Sequence, residues 1–392
     1  MVNQISVAFV GARGLGNYGG FETLAKELGI RLAGKGFNVL CSMEAGSSSN
    51  TEAMRHVETV VFPLRMPSHY ALRHVFEVLY DWYFAFYFTF KRRCDVIYFL
   101  GTTISFLSFL PRVMGATSVV NMAGLEWLRS KFSSLQRGLI RLSLYFSFLG
   151  CDIMIVDNRR LADHISQKWA SKIRYVSYGV EEVESEVWDP SGLPEVVTNM
   201  FPRTYWLVVA RIQPDNNIHA AIQGFLASHS AKPLVIVGDF SCPISYEKLL
   251  RDLVQNAPPG RILLTGAIYD SKKLNMLRQN AFGYVHPHSI GGTNPSLLEA
   301  MVMGNAIVAN DNPFNREVAA DTVLYYSDTV GLANGVDSME IDSELRSRMG
   351  LVAHRRVLVH YSWENVAEEY ADLIDHLLNR ETRTKLQPGR AA

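Results

Sequence analysis

The feature that most constrains this chain is a recurring unit. A short apolar run of four to six residues is followed by a turn and then by a helical pattern. Ile5–Val10 is the first run, with a glycine-rich turn behind it and an amphipathic helix expected from Phe21 to Ala33. Gly34 and Gly36 end that helix, and Phe37–Ser42 follows as the next strand. Asp95–Phe99, Ser118–Met122 and Asp152–Val156 repeat the theme. Strands this short, with an apolar run in place of clean alternation, belong in a parallel sheet covered on both faces. An α/β fold is therefore expected.

The pattern breaks once. Residues 181–204 are acidic, carry three prolines and show no sustained period, so 186–204 reads as a linker. A second series then begins with Trp206–Ala210, Pro233–Val237, Arg261–Leu264, Phe282–Val285 and Ala306–Ala309. The expected organisation is an N-terminal Rossmann-like domain (1–185), the linker, a C-terminal Rossmann-like domain (205–360), a closing helix (361–380) and a tail (381–392). In such tandem α/β folds the ligand is expected at a cleft faced by the C-terminal ends of the strands.

Charge narrows the partners. The 392 residues carry 38 Lys and Arg against 38 Asp and Glu, which argues against a nucleic-acid-binding protein. The balance hides a split. Residues 1–180 hold 20 basic and 12 acidic side chains, and the remainder 18 and 26. Cys41, Cys94, Cys151 and Cys242 are scattered, with no CxxC pair, and fit a reducing cytosol. The first residues lack the basic region of a signal peptide, and the charge-free stretch Val96–Pro111 is only 16 residues long. A soluble or peripheral protein is expected.

Three segments bear on chemistry. Residues 14–19 spell GxGxxG between a strand and a helix, and Gly19-Gly20 open that helix. Glu44 sits near the end of the second strand, where a dinucleotide fold keeps its ribose-binding acid. Alone, this loop suits an NAD enzyme, a nucleotide-sugar enzyme or an ordinary turn. The second segment, His286-Pro-His-Ser-Ile-Gly291-Gly292-Thr293-Asn294-Pro295-Ser296-Leu-Leu-Glu299, describes a phosphate-binding helix start. Glu299, one turn in, is placed to accept the hydroxyls of a ribose. Apolar residues follow it, so its carboxylate needs a partner. His288 is a candidate hydrogen-bond donor. The third segment is Arg211, directly after a strand, whose guanidinium fork suits a diphosphate.

Together these strings resemble the retaining family-four glycosyltransferases of the GT-B fold. "YGGFET", "GLEW" (Gly124–Trp127), "VVARIQPDNN", "TGAIYD" (Thr265–Asp270), "HSIGGTNPSLLEAM" and "NPFNREV" (Asn312–Val318) are closest to the rhamnosyltransferase branch of cell-surface polysaccharide synthesis. The resemblance implies transfer of a sugar, rhamnose or another hexose, from a nucleotide-diphosphate donor to a glycan or lipid-linked glycan. It implies donor contacts from Gly19, Gly20, Arg211, Gly292, Thr293, Asn294 and Glu299. Glu126 of GLEW is a candidate for contacting donor sugar or acceptor hydroxyl; the alternative is an acid beside the anchoring Trp127. Two positions depart from the family pattern. Asn216 stands where a Lys is usual, and Gly291 where an acid is usual. No DxD-type triplet sits beside a strand end, so no metal is expected and the nucleotide sugar is a co-substrate with no other cofactor. Three other activities compete: an NAD-dependent oxidoreductase using Gly14–Gly19, a sugar epimerase, and a non-catalytic nucleotide-sugar-binding protein.

The acceptor side is signalled by aromatics. Residues 70–109 contain 14 of the 43 in the chain. The stretch 74–93 reads as a helix apolar nearly all round, includes Trp82 and ends in Lys91-Arg92-Arg93. Aromatic rings beside a basic cluster suit a helix lying on anionic lipid. Residues 137–148 repeat the mixture. A peripheral position on the inner face of the cell membrane is the expectation; the plainer reading is that both are core helices.

Overall fold

The computed structural model describes residues 4–15, 19–47, 55–67, 69–102, 105–122, 124–129, 132–240 and 242–385. Residues 16–18 of the GxGxxG string and 386–392 of the tail lie outside them. Packing divides the chain into two units. One runs to Tyr178 and takes in the chain from Trp363 onward; the other comprises residues 179–362 and takes in Arg129.

The N-terminal unit contains β1 (Ser6–Val10), α1 (Gly20–Gly34), β2 (Asn38–Met43), β3 (Val57–Val61), α2 (Tyr70–Phe86), β4 (Val96–Leu100), α3 (Leu110–Val113), β5 (Thr117–Met122), α4 (Ser134–Gly150), β6 (Ile153–Val156) and β7 (Ile173–Tyr175). Among the described residues it has seven strands, all parallel, in the order β3-β2-β1-β4-β5-β6-β7. The apolar runs of the sequence are the inner strands, buried on both faces. The helix expected over 74–93 begins at Tyr70, and its last turn, Tyr87–Lys91, widens to π-helical geometry. Tyr80, Phe84 and Phe88, four residues apart, form its buried stripe. A capping box starts α4. Ser133 Oγ accepts from the Gln136 N–H (3.3 Å), and Gln136 Oε1 accepts from the Ser133 N–H (2.9 Å).

The C-terminal unit contains α5 (Glu195–Thr198), β8 (Trp206–Val209), α6 (Ile218–Leu226), β9 (Leu234–Val237), α7 (Ile244–Gln255), β10 (Ile262–Gly266), α8 (Ser271–Gln279), β11 (Gly283–His286), α9 (Pro295–Val302), β12 (Ile307–Asn310), α10 (Pro313–Ala319), β13 (Leu324–Tyr326), α11 (Thr329–Ile341) and α12 (Ser343–His360). Six parallel strands run in the order β10-β9-β8-β11-β12-β13. Trp206, Val208, Ile222, Phe225, Leu332 and Val336 build the core on one side of this sheet. The segment read as a linker is packed here. The Glu186 N–H donates to Gln279 Oε1 and the Arg203 N–H to the Asn280 carbonyl, both at 2.8 Å. The packing division accordingly falls at 178/179, ahead of the expected 185/186.

The last helix, α13 (Trp363–Lys385), packs with the N-terminal unit and is longer than the closing helix expected over 361–380. The Tyr370 hydroxyl meets that of Tyr98 at 2.7 Å, and the Trp363 ring packs edge-on against Tyr178.

Candidate functional site

In the C-terminal unit, β8 ends at Val209, and Ala210 leads to an exposed Arg211. A Cβ on Gly238 would overlap the Ala210 carbonyl oxygen, so glycine alone lets the ends of β8 and β9 press together here. The loop after Arg211 is closed from within: Asn216 Nδ2 donates to the Arg211 carbonyl at 2.7 Å. The position where a Lys is usual thus holds a side chain that shapes the backbone carrying Arg211. Asn217, in left-handed geometry at φ 54°, leads into α6, and its Nδ2 reaches the Pro287 carbonyl at 3.1 Å.

The turn after β11 is pinned from another side. Asn312 Nδ2 and Asn315 Nδ2 each donate to the His288 carbonyl at 3.0 Å, which accounts for the two asparagines of NPFNREV. Asn294 caps α9: its Oδ1 accepts from the Ser296 N–H (3.0 Å) and Oγ (2.9 Å). That oxygen is committed to the helix start. Pro295 occupies the first turn, Thr293 is buried and Gly292 half-buried. Gly291 has φ 156°, and a Cβ there would meet nothing within 4 Å. The missing acid leaves open space at this position.

The surroundings are positive. His286 is fully buried in β11 and stacks on His288 with ring centroids 4.5 Å apart. Burial, then the charges of Arg211 and Arg129, push the His288 pKa down to about 3. Burial also drives His286 well below its ordinary value, with His288 adding to the shift. Both rings are neutral at physiological pH. Arg129, which the sequence pattern did not single out, is a second guanidinium acting at the same turn as Arg211.

Glu299 has the partner its position demanded. Its Oε2 accepts from Arg278 Nη2 of α8, whose side chain is 2% exposed while that of Glu299 is 35% exposed. The Arg278 carbonyl in turn accepts from Asn305 Nδ2 at 2.7 Å. A buried cation therefore fixes the orientation of the carboxylate that the sequence singled out. Nothing in the local spacing announced Arg278.

Two family models match this sequence. Residues 4–181 match a domain of unknown function (DUF1972), and residues 202–356 match glycosyl transferases group 1. The glycosyl transferases group 1 match lies within the C-terminal unit and spans most of it. No curated protein sequence matches the chain at a significant level. Among solved structures, sucrose-phosphate synthase from Thermosynechococcus elongatus is similar over 96% of this chain and 100% of its own, with TM-score 0.77 and 17% identity. The catalytic domain of Arabidopsis thaliana starch synthase IV, bound to ADP and acarbose, is similar over 95% of this chain and 99% of its own (TM-score 0.71, 11% identity). Anabaena HepE in complex with UDP-glucose covers 95% and 100% (TM-score 0.69, 13% identity). The fold is GT-B, built from two Rossmann-like domains with parallel sheets.

Within the C-terminal unit, β8 and β11 are neighbours in the sheet, so the loop that carries Arg211 and the turn that carries Gly292, Thr293 and Asn294 leave the same edge of it, tied by Asn217, while Glu299 lies one turn into α9. Gly19, Gly20, Glu126, Trp82, Lys91, Arg92 and Arg93 belong to the N-terminal unit. There, Gly19 immediately precedes α1, and a Cβ on it would overlap the Glu22 carboxylate. The Arg13 guanidinium meets Asp81 at 3.0 Å and Glu44 at 3.9 Å, and Arg73 meets Glu44 at 3.4 Å. Glu44, the acid a dinucleotide fold would use for ribose, is thus engaged by two arginines. Burial, partly offset by Arg13, raises the Asp81 pKa to about 6. Glu126 lies in a short 3-10 turn beside the buried Trp127. Within the basic cluster Lys91-Arg92-Arg93, Arg92 makes a bidentate pair with Glu58, both contacts 2.5 Å. Lys91 and Arg93 are exposed.

Proposed function

We propose that the protein is a retaining glycosyltransferase of cell-surface polysaccharide synthesis. It moves a sugar, rhamnose or another hexose, from a nucleoside-diphosphate donor to a glycan or lipid-linked glycan acceptor. The observation that carries this reading is the convergence of Arg211, the α9 N-terminus and the Arg278-held Glu299 in a glycosyl transferases group 1 domain. Structural neighbours bound to UDP-glucose and to ADP support a nucleotide sugar as donor.

In this reading Glu299 accepts the ribose hydroxyls, and the amides from Gly292 to Asn294 face the diphosphate at the positive helix end. As the glycosidic bond breaks, the sugar becomes oxocarbenium-like and negative charge grows on the departing diphosphate. Arg211 stabilises that charge, with Arg129 supplying the cation that Asn216 does not. Removing one preorganised donor of this kind costs on the order of 3–4 kcal/mol of barrier. The Gly19–Gly20 amides add donor contacts, and Glu126 orients a hydroxyl of donor or acceptor. The reaction is proposed to be metal-independent, so a chelator leaves the rate unchanged. The enzyme works in the cytoplasm, at the inner face of the cell membrane where lipid-linked acceptors are found.

The oxidoreductase alternative loses support because Glu44 is committed to Arg13 and Arg73. A binding protein without turnover remains the competing class, and one assay separates it. Nucleoside diphosphate release from a nucleotide sugar, with a membrane extract as acceptor source, is expected from the wild type and lost in Arg211→Ala. Near-wild-type release by Arg211→Ala would overturn the assignment, and binding without release for every donor would favour the binding protein.

A further inference from the structure

The N-terminal unit leaves an apolar surface uncovered on two of its helices. On α2 and its π-helical extension, Val75, Leu79, Trp82, Phe86 and Phe90 recur every three or four residues, and each is at least 40% exposed. This stripe lies opposite the buried Tyr80, Phe84 and Phe88. On α4, Leu135, Leu139, Leu142, Phe146 and Leu149 form a second exposed stripe with the same period. A scattering of single exposed hydrophobics is ordinary; two helix-long stripes are not.

The segment between β4 and α3 joins the stripes into one face. The Trp82 ring meets Phe106 edge-on at 5.9 Å. One residue from Phe106, Ser105 Oγ hydrogen-bonds to Ser147 Oγ of α4, and Ser108 Oγ donates to the Ser147 carbonyl at 3.3 Å. Phe109, Val113 and Met114 continue the exposed apolar surface from this segment.

Charge selects the occupant. α4 carries Arg137 and Arg141 and no acid. The acids of α2 are turned to other work: Asp81 is buried on Arg13, and Glu77 meets Arg73 at 3.4 Å. Lys91, Arg93 and Arg141 are exposed along these elements, and Lys168 sits 5.0 Å over the Tyr145 ring of α4. Among the described residues no helix is long and apolar enough to cross a membrane. An apolar face with basic residues around it and no spanning helix fits the interfacial zone of a bilayer, with rings and aliphatic chains below the headgroups and cations at the phosphates.

We propose that the face formed by α2, the 105–114 segment and α4 docks on an anionic lipid bilayer, with Lys91, Arg93 and Arg141 reading the lipid charge. This deepens the membrane position proposed above by naming the face that docks, and vesicle binding without substrate stands or falls separately from sugar transfer.

The test uses the full chain without substrate and sucrose-loaded vesicles, either phosphatidylcholine alone or equal parts phosphatidylcholine and phosphatidylglycerol. The wild type is expected to sediment at least tenfold more strongly with the anionic vesicles. Leu79→Glu/Leu142→Glu should abolish sedimentation. Lys91→Gln/Arg93→Gln/Arg141→Gln should weaken it roughly 100-fold, at about 1 kcal/mol per cation. Arg92→Gln should leave it unchanged, because Arg92 is held by Glu58. Circular dichroism melts confirm that each variant is folded, and brominated lipid should quench the wild-type fluorescence more than that of Trp82→Phe. Two results would overturn the proposal. One is equal sedimentation of all variants. The other is a wild-type dimer that ignores vesicles and becomes monomeric in Leu79→Glu/Leu142→Glu, which would assign the face to a second copy of the chain.

Discussion

The two units repeat one topology with different surfaces. Each parallel sheet places its first strand inside and grows outward on both sides, β3-β2-β1-β4 in one and β10-β9-β8-β11 in the other. In the C-terminal unit the distinctive feature is the loops at strand ends: Asn216 closes the β8 loop from within, Asn217 ties it to the β11 turn, and Asn312 and Asn315 pin that turn from the loop and helix after β12. In the N-terminal unit the corresponding loop holds a half-buried charge network, and the distinctive surface has moved to the outer helices. One scaffold thus presents cross-tied polar loops at strand ends in one unit and exposed apolar helix faces in the other. The difference lies in side chains that the topology does not dictate.

That contrast can be broken most sharply at Arg211. Because its side chain is exposed, Arg211→Ala should reduce turnover by two to three orders of magnitude, about 3–4 kcal/mol, with an unchanged melting temperature. A large loss of stability would place Arg211 in the scaffold.

Glu299 should behave differently. Glu299→Ala leaves Arg278 buried without its anion, and unfolding by urea should show a loss of about 3 kcal/mol. Adding Arg278→Met should recover most of that stability and none of the activity. Recovery of both would show that Glu299 serves only the core.

The units should also answer acid with opposite signs. His288 is held neutral, with its folded pKa near 3 below the unfolded value, so its contribution is complete above about pH 6.5 and is lost as pH falls toward 3. His288→Gln should flatten the stability profile between pH 6 and 4 by about 1 kcal/mol per pH unit. Asp81 is the reverse case. Its folded pKa of about 6 lies above the unfolded value, so its contribution is complete below about pH 4 and is lost as pH rises through 6. Asp81→Asn should remove that upper slope. Urea midpoints across this range check both signs.

The smallest effect is expected at Arg92. Its pair with Glu58 is partly exposed, and Arg92→Gln should cost no more than about 1 kcal/mol.

Much of this was legible in the residues. The inner strands announced themselves as apolar runs because both of their faces are covered. β3, β7 and β13 did not: they lie at sheet edges, are three to five residues long, and include half-exposed positions such as Thr59, Arg174 and Leu324. At the site, Arg211 and Glu299 stood out by position. Arg278 did not, since it reaches Glu299 from a different helix 21 residues earlier. The aromatic run of α2 read as apolar nearly all round. Which stripe faces the sheet depends on tertiary packing, and so does the loss of Arg92 to Glu58 on β3.

The central claim is that a nucleoside-diphosphate sugar binds the C-terminal unit against Arg211 and Glu299. The most direct measurement is a thermal-shift screen of nucleotide sugars, with NADH as comparison, on the wild type and Arg211→Ala. A donor that binds only the folded state stabilises it in proportion to its affinity. The account predicts that at least one nucleotide sugar raises the wild-type melting temperature, that the same donor leaves Arg211→Ala unmoved, and that NADH does nothing. Stabilisation by NADH alone, or equal stabilisation of both proteins by the donor, would contradict it.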